Sequence, residues 1–115
     1  MKLKNKKLLI TGGASGIGKI MARKSLERGV FHLVIWDINE EGLAKTKEEF
    51  SKFGIPISIY KVDISNLDEI KINAQKVRTE VGKIDVLINN AGIVVGKYFF
   101  ENTHQDIQKT MLINS

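Results

Sequence analysis

TGGASGIG, residues 11–18, sets three glycines in the spacing Gly-x-x-x-Gly-x-Gly between two unlike neighbours. Before it, LLIT (8–11) is an unbroken apolar run, the pattern of a strand covered on both faces. After it, Ile17, Ile20, Met21 and Leu26 recur at helical spacing until Gly29. Strand, glycine turn and helix in that order make a seat for an anion. The first amides of the helix lack intrahelical partners, the dipole is positive there, and glycine carries no Cβ to hold a phosphate away. Gly12, Gly16 and Gly18 are therefore candidate phosphate contacts, because the motif stands in the context that such a contact demands. The competing reading is a tight turn in which glycine only relieves strain.

The alternation continues along the chain. HLVIWD (32–37) is a second buried run, and Asn39 is placed to cap the next helix, with Glu40 and Glu41 in its first turn. Leu43, Phe50 and Phe53 share a face, and Gly54 supplies a stop. A third run, PISIYKVD (56–63), precedes a capping-box pattern of Ser65 and Asp68. Ile70, Ala74, Val77 and Val81 then fall on one helical face, closed by Gly82. The fourth run, IDVLI (84–88), leads into Asn89-Asn90-Ala91-Gly92, and Thr103 with Asp106 marks one more helix start, with Ile107, Met111 and Leu112 behind it.

Strands separated by helices require a parallel sheet with right-handed crossovers. The expected fold is α/β: the N-terminal portion of a Rossmann-type doubly wound parallel sheet, strand order 3-2-1-4, with residues 1–115 forming a single domain. On that topology the strand at 84–88 would expose an open edge, prone to pairing with another chain.

Composition narrows the chemistry. The 115 residues are 43% apolar and 27% charged, an ordinary globular balance. The absence of cysteine excludes disulfides, thiolate metal sites and a cysteine nucleophile, and His32 and His104 fall in no metal-ligand spacing. No apolar run approaches the ~20 residues of a membrane span, and MKLKNKK lacks the apolar stretch of a signal peptide. A cytoplasmic protein with no membrane span is expected. The net charge of +5 comes largely from Lys2, Lys4, Lys6 and Lys7, the other lysines being scattered beside Glu and Asp. That is a solvated surface and not a nucleic-acid face.

Asp37 ends the second run, nineteen residues beyond Gly18. An acid there accepts hydrogen bonds from adenosine ribose hydroxyls and repels a 2′-phosphate. At ~4 Å and an effective dielectric near 20 the repulsion is roughly 4 kcal/mol, and even ~1.4 kcal/mol is tenfold in affinity. The position before Gly16 is Ser15, so no arginine in the glycine turn compensates. NAD is expected over NADP.

The glycine turn, Asp37, Asp63-Ile64 and NNAG at 89–92 together resemble the short-chain dehydrogenase/reductase family along the whole chain. The resemblance implies that Gly12, Ser15, Gly16, Ile17 and Gly18 line the pyrophosphate, and that Ile38 joins Asp37 in the cofactor site. It also implies that Asp63 and Ile64 contact the adenine, that Asn90, Ala91 and Gly92 flank the nicotinamide ribose, and that Asn89 holds the central strand. The stretches VIWDINEEGLAKT, VDIS, NNAGIVVGKYFFE and QKTMLIN are similar to the branch that includes retinol dehydrogenases and type 11 17β-hydroxysteroid dehydrogenases. Members of that branch interconvert lipophilic alcohols and ketones.

Family catalysis uses an Asn, a Ser, a Tyr and a Lys, and the match places the Asn at Asn114 in MLINS. Neither Tyr60 nor Tyr98 has a lysine four positions on, and Ser115 lies too early to be the family Ser. The resemblance thus implies an NAD-dependent oxidoreductase whose remaining catalytic residues lie beyond Ser115, with residues 1–115 inactive alone and the parent protein a homo-oligomer. The alternative is a dinucleotide-binding module without chemistry.

Overall fold

A computed structural model describes residues 2–90 and 111–114. Five parallel strands form one sheet: β1 (Lys7–Thr11), β2 (His32–Asp37), β3 (Ile57–Lys61), β4 (Val86–Asn89) and β5 (Met111–Asn114), in the order β3-β2-β1-β4-β5. Among the described residues three α-helices link β1 to β4 in turn: α1 (Gly16–Glu27), α2 (Glu40–Phe50) and α3 (Leu67–Glu80). The expected order 3-2-1-4 is present, and the register places Thr11 beside both Trp36 and Asn89.

The central strands are largely apolar because each face of the sheet carries its own core. Leu8, Ile10, Leu33, Ile35, Val86 and Ile88 pack with Ala22 and Leu26 of α1 and with Leu43 and Phe50 of α2. Leu9, Val34, Trp36 and Leu87 pack on the other side with Ile70, Ala74 and Val77 of α3. Successive strand residues point to opposite faces, so alternate positions feed the two cores. Two helices on one face and one on the other are what right-handed crossovers produce when the chain steps outward from β1 to β3 and then returns to β4.

Three sequence expectations change. First, Met111 and Leu112 lie in β5, paired with Val86 and Leu87, and not in a helix. A three-residue apolar run is too short to separate the two periods, and the unpaired backbone edge of β4 favours a strand. That edge, expected to be open, is occupied by β5; the proposed helix start at Thr103 and Asp106 lies outside the described residues.

Second, the cap of α3 is Asn66 and not Ser65. Asn66 Oδ1 accepts the N–H groups of Asp68 and Glu69 at 3.0 and 3.2 Å. Ser65 is taken by Asp63, whose Oδ1 accepts both the Ser65 N–H and its hydroxyl. Third, the inward face of α1 is Gly18, Ala22, Ser25 and Leu26, whereas Ile17 and Ile20 are exposed. Asn39, by contrast, caps α2 as expected, accepting the Gly42 N–H at 3.0 Å.

His32 Nε2 lies 2.8 Å from Ser58 Oγ, linking β2 to β3. Burial, and then the nearby Lys7 charge, hold the His32 pKa below its ordinary value of 6.5. The folded state therefore binds fewer protons than the unfolded state below about pH 6.5. The contribution is fully present above that value and is lost as pH falls toward the folded pKa. Denaturant midpoints should drop between pH 7.5 and pH 5.5 with a slope of less than one proton, and His32→Gln should flatten that dependence. Asn66→Ala should cost about 1 kcal/mol in the same assay, and Ser65→Ala clearly less.

Candidate functional site

All the polar motifs leave the sheet at one edge. β1 ends in Thr11 before Gly12, β2 in Asp37, β3 two residues before Asp63, and β4 in Asn89 before Asn90. In a parallel sheet these are the carboxyl ends, and the order reverses between β1 and β4, where ligands bind in such folds. Thr11 Oγ1 donates to Asn89 Oδ1 at 3.0 Å in a buried contact, tying the two strands at that reversal. Asn89 thus joins the central strands, as the resemblance implied.

The glycines divide by cause. A Cβ on Gly18 would stand 1.9 Å from the carbonyl oxygen of Gly12, so the turn's own backbone excludes a side chain. Gly12 has φ 71°, and a Cβ there would meet Asn90 Nδ2 at 3.1 Å. Gly16 has φ 56°, and its Cβ would meet no described atom within 4 Å. Of these three, only Gly16 has room for a Cβ among the described atoms; at Gly12 and Gly18 the turn folds tightly on itself and on Asn90. Tight packing thus accounts for Gly12 and Gly18, while Gly16 leaves space beside the helix start.

The three helix starts differ. α2 and α3 have Asn caps and two acids each in the first turn, Glu40 and Glu41, and Asp68 and Glu69. At α1 the Ser15 side chain caps no amide among the described residues, and the first turn holds no acid. The positive end of α1 is left open beside the glycine turn.

A cleft of about 170 Å³ lies at this edge, lined by Gly12, Asp37, Ile38, Val62, Asp63 and Ile64. Five of these six are sequence candidates; Val62 was missed because it reads as an ordinary buried strand residue. Ile38 is 61% exposed and Ile17 63%, so both offer apolar surface to a ligand. Asp37 Oδ2 accepts the Ala14 N–H at 3.1 Å and Oδ1 the Asn39 N–H at 3.0 Å. A carboxylate has about four lone-pair sites, which leaves room for ribose hydroxyls. Lys61, in register beside Asp37, points its ammonium to Glu40 at 3.9 Å.

Asp63 is held below the usual carboxylate range by the Ser65 hydroxyl and then the Ser65 N–H, so it stays ionised at neutral pH. Its own N–H donates to Glu69 Oε1 at 3.0 Å, fixing the turn after β3. Asn90 touches the glycine turn, Ala91 and Gly92 lie outside the described residues, and Asn114 ends β5 in register with Asn89.

A larger groove, about 370 Å³, runs between α1 and α2, but it shares only Gly16 with the glycine turn and is bordered by the Lys19–Glu49 ion pair. Tyr60 donates its hydroxyl to Glu80 Oε1 at 2.5 Å. Burial, this bond and the Glu80 charge push its pKa up, the opposite of what a general base requires. Among the described residues no helix is long and apolar enough to cross a membrane.

The chain is 36% identical over 113 residues to short-chain dehydrogenase/reductase 3 of Bos taurus, which covers 98% of this chain and 37% of that protein. It is 36% identical over 107 residues to human estradiol 17-beta-dehydrogenase 11, covering 93% of this chain and 35% of the relative. The chain thus spans about a third of the length of these relatives. Among solved structures, NAD+-bound xylitol dehydrogenase superposes with a TM-score of 0.74 at 30% identity, over 80% of this chain and 35% of that one. L-sorbose reductase from Gluconobacter frateurii, complexed with NADPH and L-sorbose, gives 0.73 at 29% identity over 80% and 36%. The family described as short chain dehydrogenase matches residues 6–115, and with the glycine turn at the sheet's reversal point and the acid-lined cleft beside it at the ends of β2 and β3, the chain belongs to that family.

Proposed function

We propose that residues 1–115 are the cofactor-binding domain of an NAD-dependent oxidoreductase that transfers hydride between an alcohol or ketone and the nicotinamide. The observation that carries the reading is the cleft between Gly12, Asp37 and Asp63 at the uncapped start of α1. The residues fit a dinucleotide. The free amides at Ser15–Gly18 would receive the pyrophosphate, the spare lone pairs of Asp37 the adenosine ribose, and Asp63 with Ile64 the adenine. Asn90, with Ala91 and Gly92, would flank the nicotinamide ribose. When bound, the nicotinamide supplies the hydride acceptor or donor.

NAD is favoured over NADP by the Asp37 carboxylate in the cleft, with the Lys61 ammonium turned toward Glu40. Asn114 is proposed as the family Asn of the proton relay; the Ser, Tyr and Lys of the reaction belong to the remaining two thirds of the relatives' length. Residues 1–115 alone are then a binder without turnover, and the whole protein a cytoplasmic homo-oligomer. A lipophilic substrate follows from likeness to a relative named for estradiol.

Titration with NADH and NADPH at matched salt tests the cofactor, with NADH expected to bind at least tenfold tighter; tighter NADPH binding would overturn the assignment of Asp37. Oxidation of a steroid alcohol by the full-length protein, with NAD+, tests the reaction. Gly18→Ala should destabilise the fold by about 1–3 kcal/mol through overpacking and abolish NADH binding by displacing the turn. Gly16→Ala, with only its positive φ to strain, should cost about 1–2 kcal/mol. Thermal melts and calorimetry on both variants decide.

A further inference from the structure

Asp37 has a partner that ribose recognition does not require. Its Oδ2 accepts the N–H of Ala14, in the middle of the glycine turn, across 23 positions of sequence. Ala14 is buried, and α2 packs directly on it: a Cβ on Gly42 would lie 3.5 Å from the Ala14 Cβ, and the buried Thr46 hydroxyl lies 3.5 Å from its carbonyl oxygen. Beside it, a Cβ on Gly13 would stand 2.7 Å from Ile35 Cγ2. The turn is thus held sterically by α2 and β2, and by hydrogen bonds at its start, where the Gly12 N–H donates to the Trp36 carbonyl oxygen at 2.7 Å, and at its middle, where the Ala14 N–H donates to the Asp37 carboxylate. That carboxylate is itself oriented by the Asn39 N–H on its other oxygen.

We propose that Asp37 is a positioning residue for the phosphate-binding turn as well as the ribose acceptor, through its bond to the Ala14 amide. The proposal rests on the dinucleotide reading above. The bond spans the two parts of the site: it fixes the apex of the turn relative to the end of β2, and so sets where the amides at the start of α1 stand with respect to the ribose. Removing the carboxylate leaves a part-buried N–H without this acceptor, a state that the turn relieves by moving. The first amides of α1 follow the turn, since Gly18 is wedged against Gly12. A consequence is that a substitution at position 37 that removes the acceptor disturbs the pyrophosphate seat as well as the ribose contact.

The electrostatic and positioning roles have opposite signs, which makes the idea testable. Asp37 is an anion near a bound diphosphate, so by charge alone its removal strengthens binding of every anionic nucleotide. Loss of positioning weakens it. The probe is 2′,3′-dideoxy-ADP, which retains adenine and diphosphate but has neither ribose hydroxyl, so the ribose contact drops out. Calorimetry on wild type, Asp37→Asn and Asp37→Ala should give affinities for this probe falling in that order, with at least threefold between the first and last. The asparagine keeps one acceptor oxygen and so lies between.

Equal affinities, or tighter binding by the alanine variant, would overturn the proposal. Amide exchange gives a second readout that global destabilisation does not imitate. The Ala14 N–H should be protected in the ligand-free wild type and should exchange faster in Asp37→Asn, while the β1 amides stay unchanged. An unprotected Ala14 amide in the wild type overturns the proposal even if the alanine variant does not fold. If wild type binds neither ADP nor NADH, the dinucleotide reading falls instead.

Discussion

The carbonyl oxygen of Gly12 sits where any side chain on Gly18 would have to be, 1.9 Å from an ideal Cβ. This contact draws the first turn of α1 back over the end of β1, so the helix begins against the strand that feeds it. Because β1 lies between β2 and β4, the start of α1 stands over the middle of the sheet. The ends of β2, β3 and β4 then surround it. A larger residue at position 18 would push the helix off the strand, and the first amides of α1 would no longer stand over the end of β1.

The sheet that supports this arrangement is stiff for an independent reason. Two cores, one on each face, bury Leu8 through Thr11 and Leu33 through Trp36 completely. Interiors packed to crystal-like density transmit displacement and do not absorb it, so the strand ends hold fixed separations. The few polar contacts at the carboxyl edge work on that rigid base. Thr11 with Asn89 spans β1 and β4, Ala14 with Asp37 spans the turn and β2, and Asp63 with Glu69 closes the turn after β3.

Much of this was legible in the sequence because burial on both faces leaves continuous apolar runs that glycine and asparagine punctuate. HLVIWD predicted β2 to the residue, and Asn39 announced the cap of α2. What the sequence concealed was geometry set by competition. Ser65 and Asn66 are both good caps, and the choice between them was made by Asp63, which captures Ser65 first. Ile17, Ile20, Met21 and Leu26 mark the helix by their spacing, yet the face that packs is made of Gly18, Ala22, Ser25 and Leu26, the first three small enough to let α1 approach the sheet. The run MLIN was ambiguous between helix and strand, and the backbone edge of β4, a non-local partner, decided it. The cause of each glycine could not be read either, since Gly12 and Gly18 answer to Asn90 and to each other.

The start of α1 also forgoes stability that the chain takes elsewhere. A side-chain cap contributes about 0.5–2 kcal/mol, and acids in the first turn about 0.3–1 kcal/mol each. α2 and α3 use both devices, while α1 has Ser15 at the cap position without the bond and no acid behind it. An acid at Lys19 or an engaged Ser15 would stabilise the free domain but would neutralise the field that attracts an anion and occupy the amides it needs. A ligand at a hundredfold its dissociation constant adds about 2.7 kcal/mol to the folded state, the same scale as the omitted cap and acids. On the dinucleotide reading, the stability withheld from the empty site is returned by the pyrophosphate, so the strength of the fold and the occupancy of the site rise together.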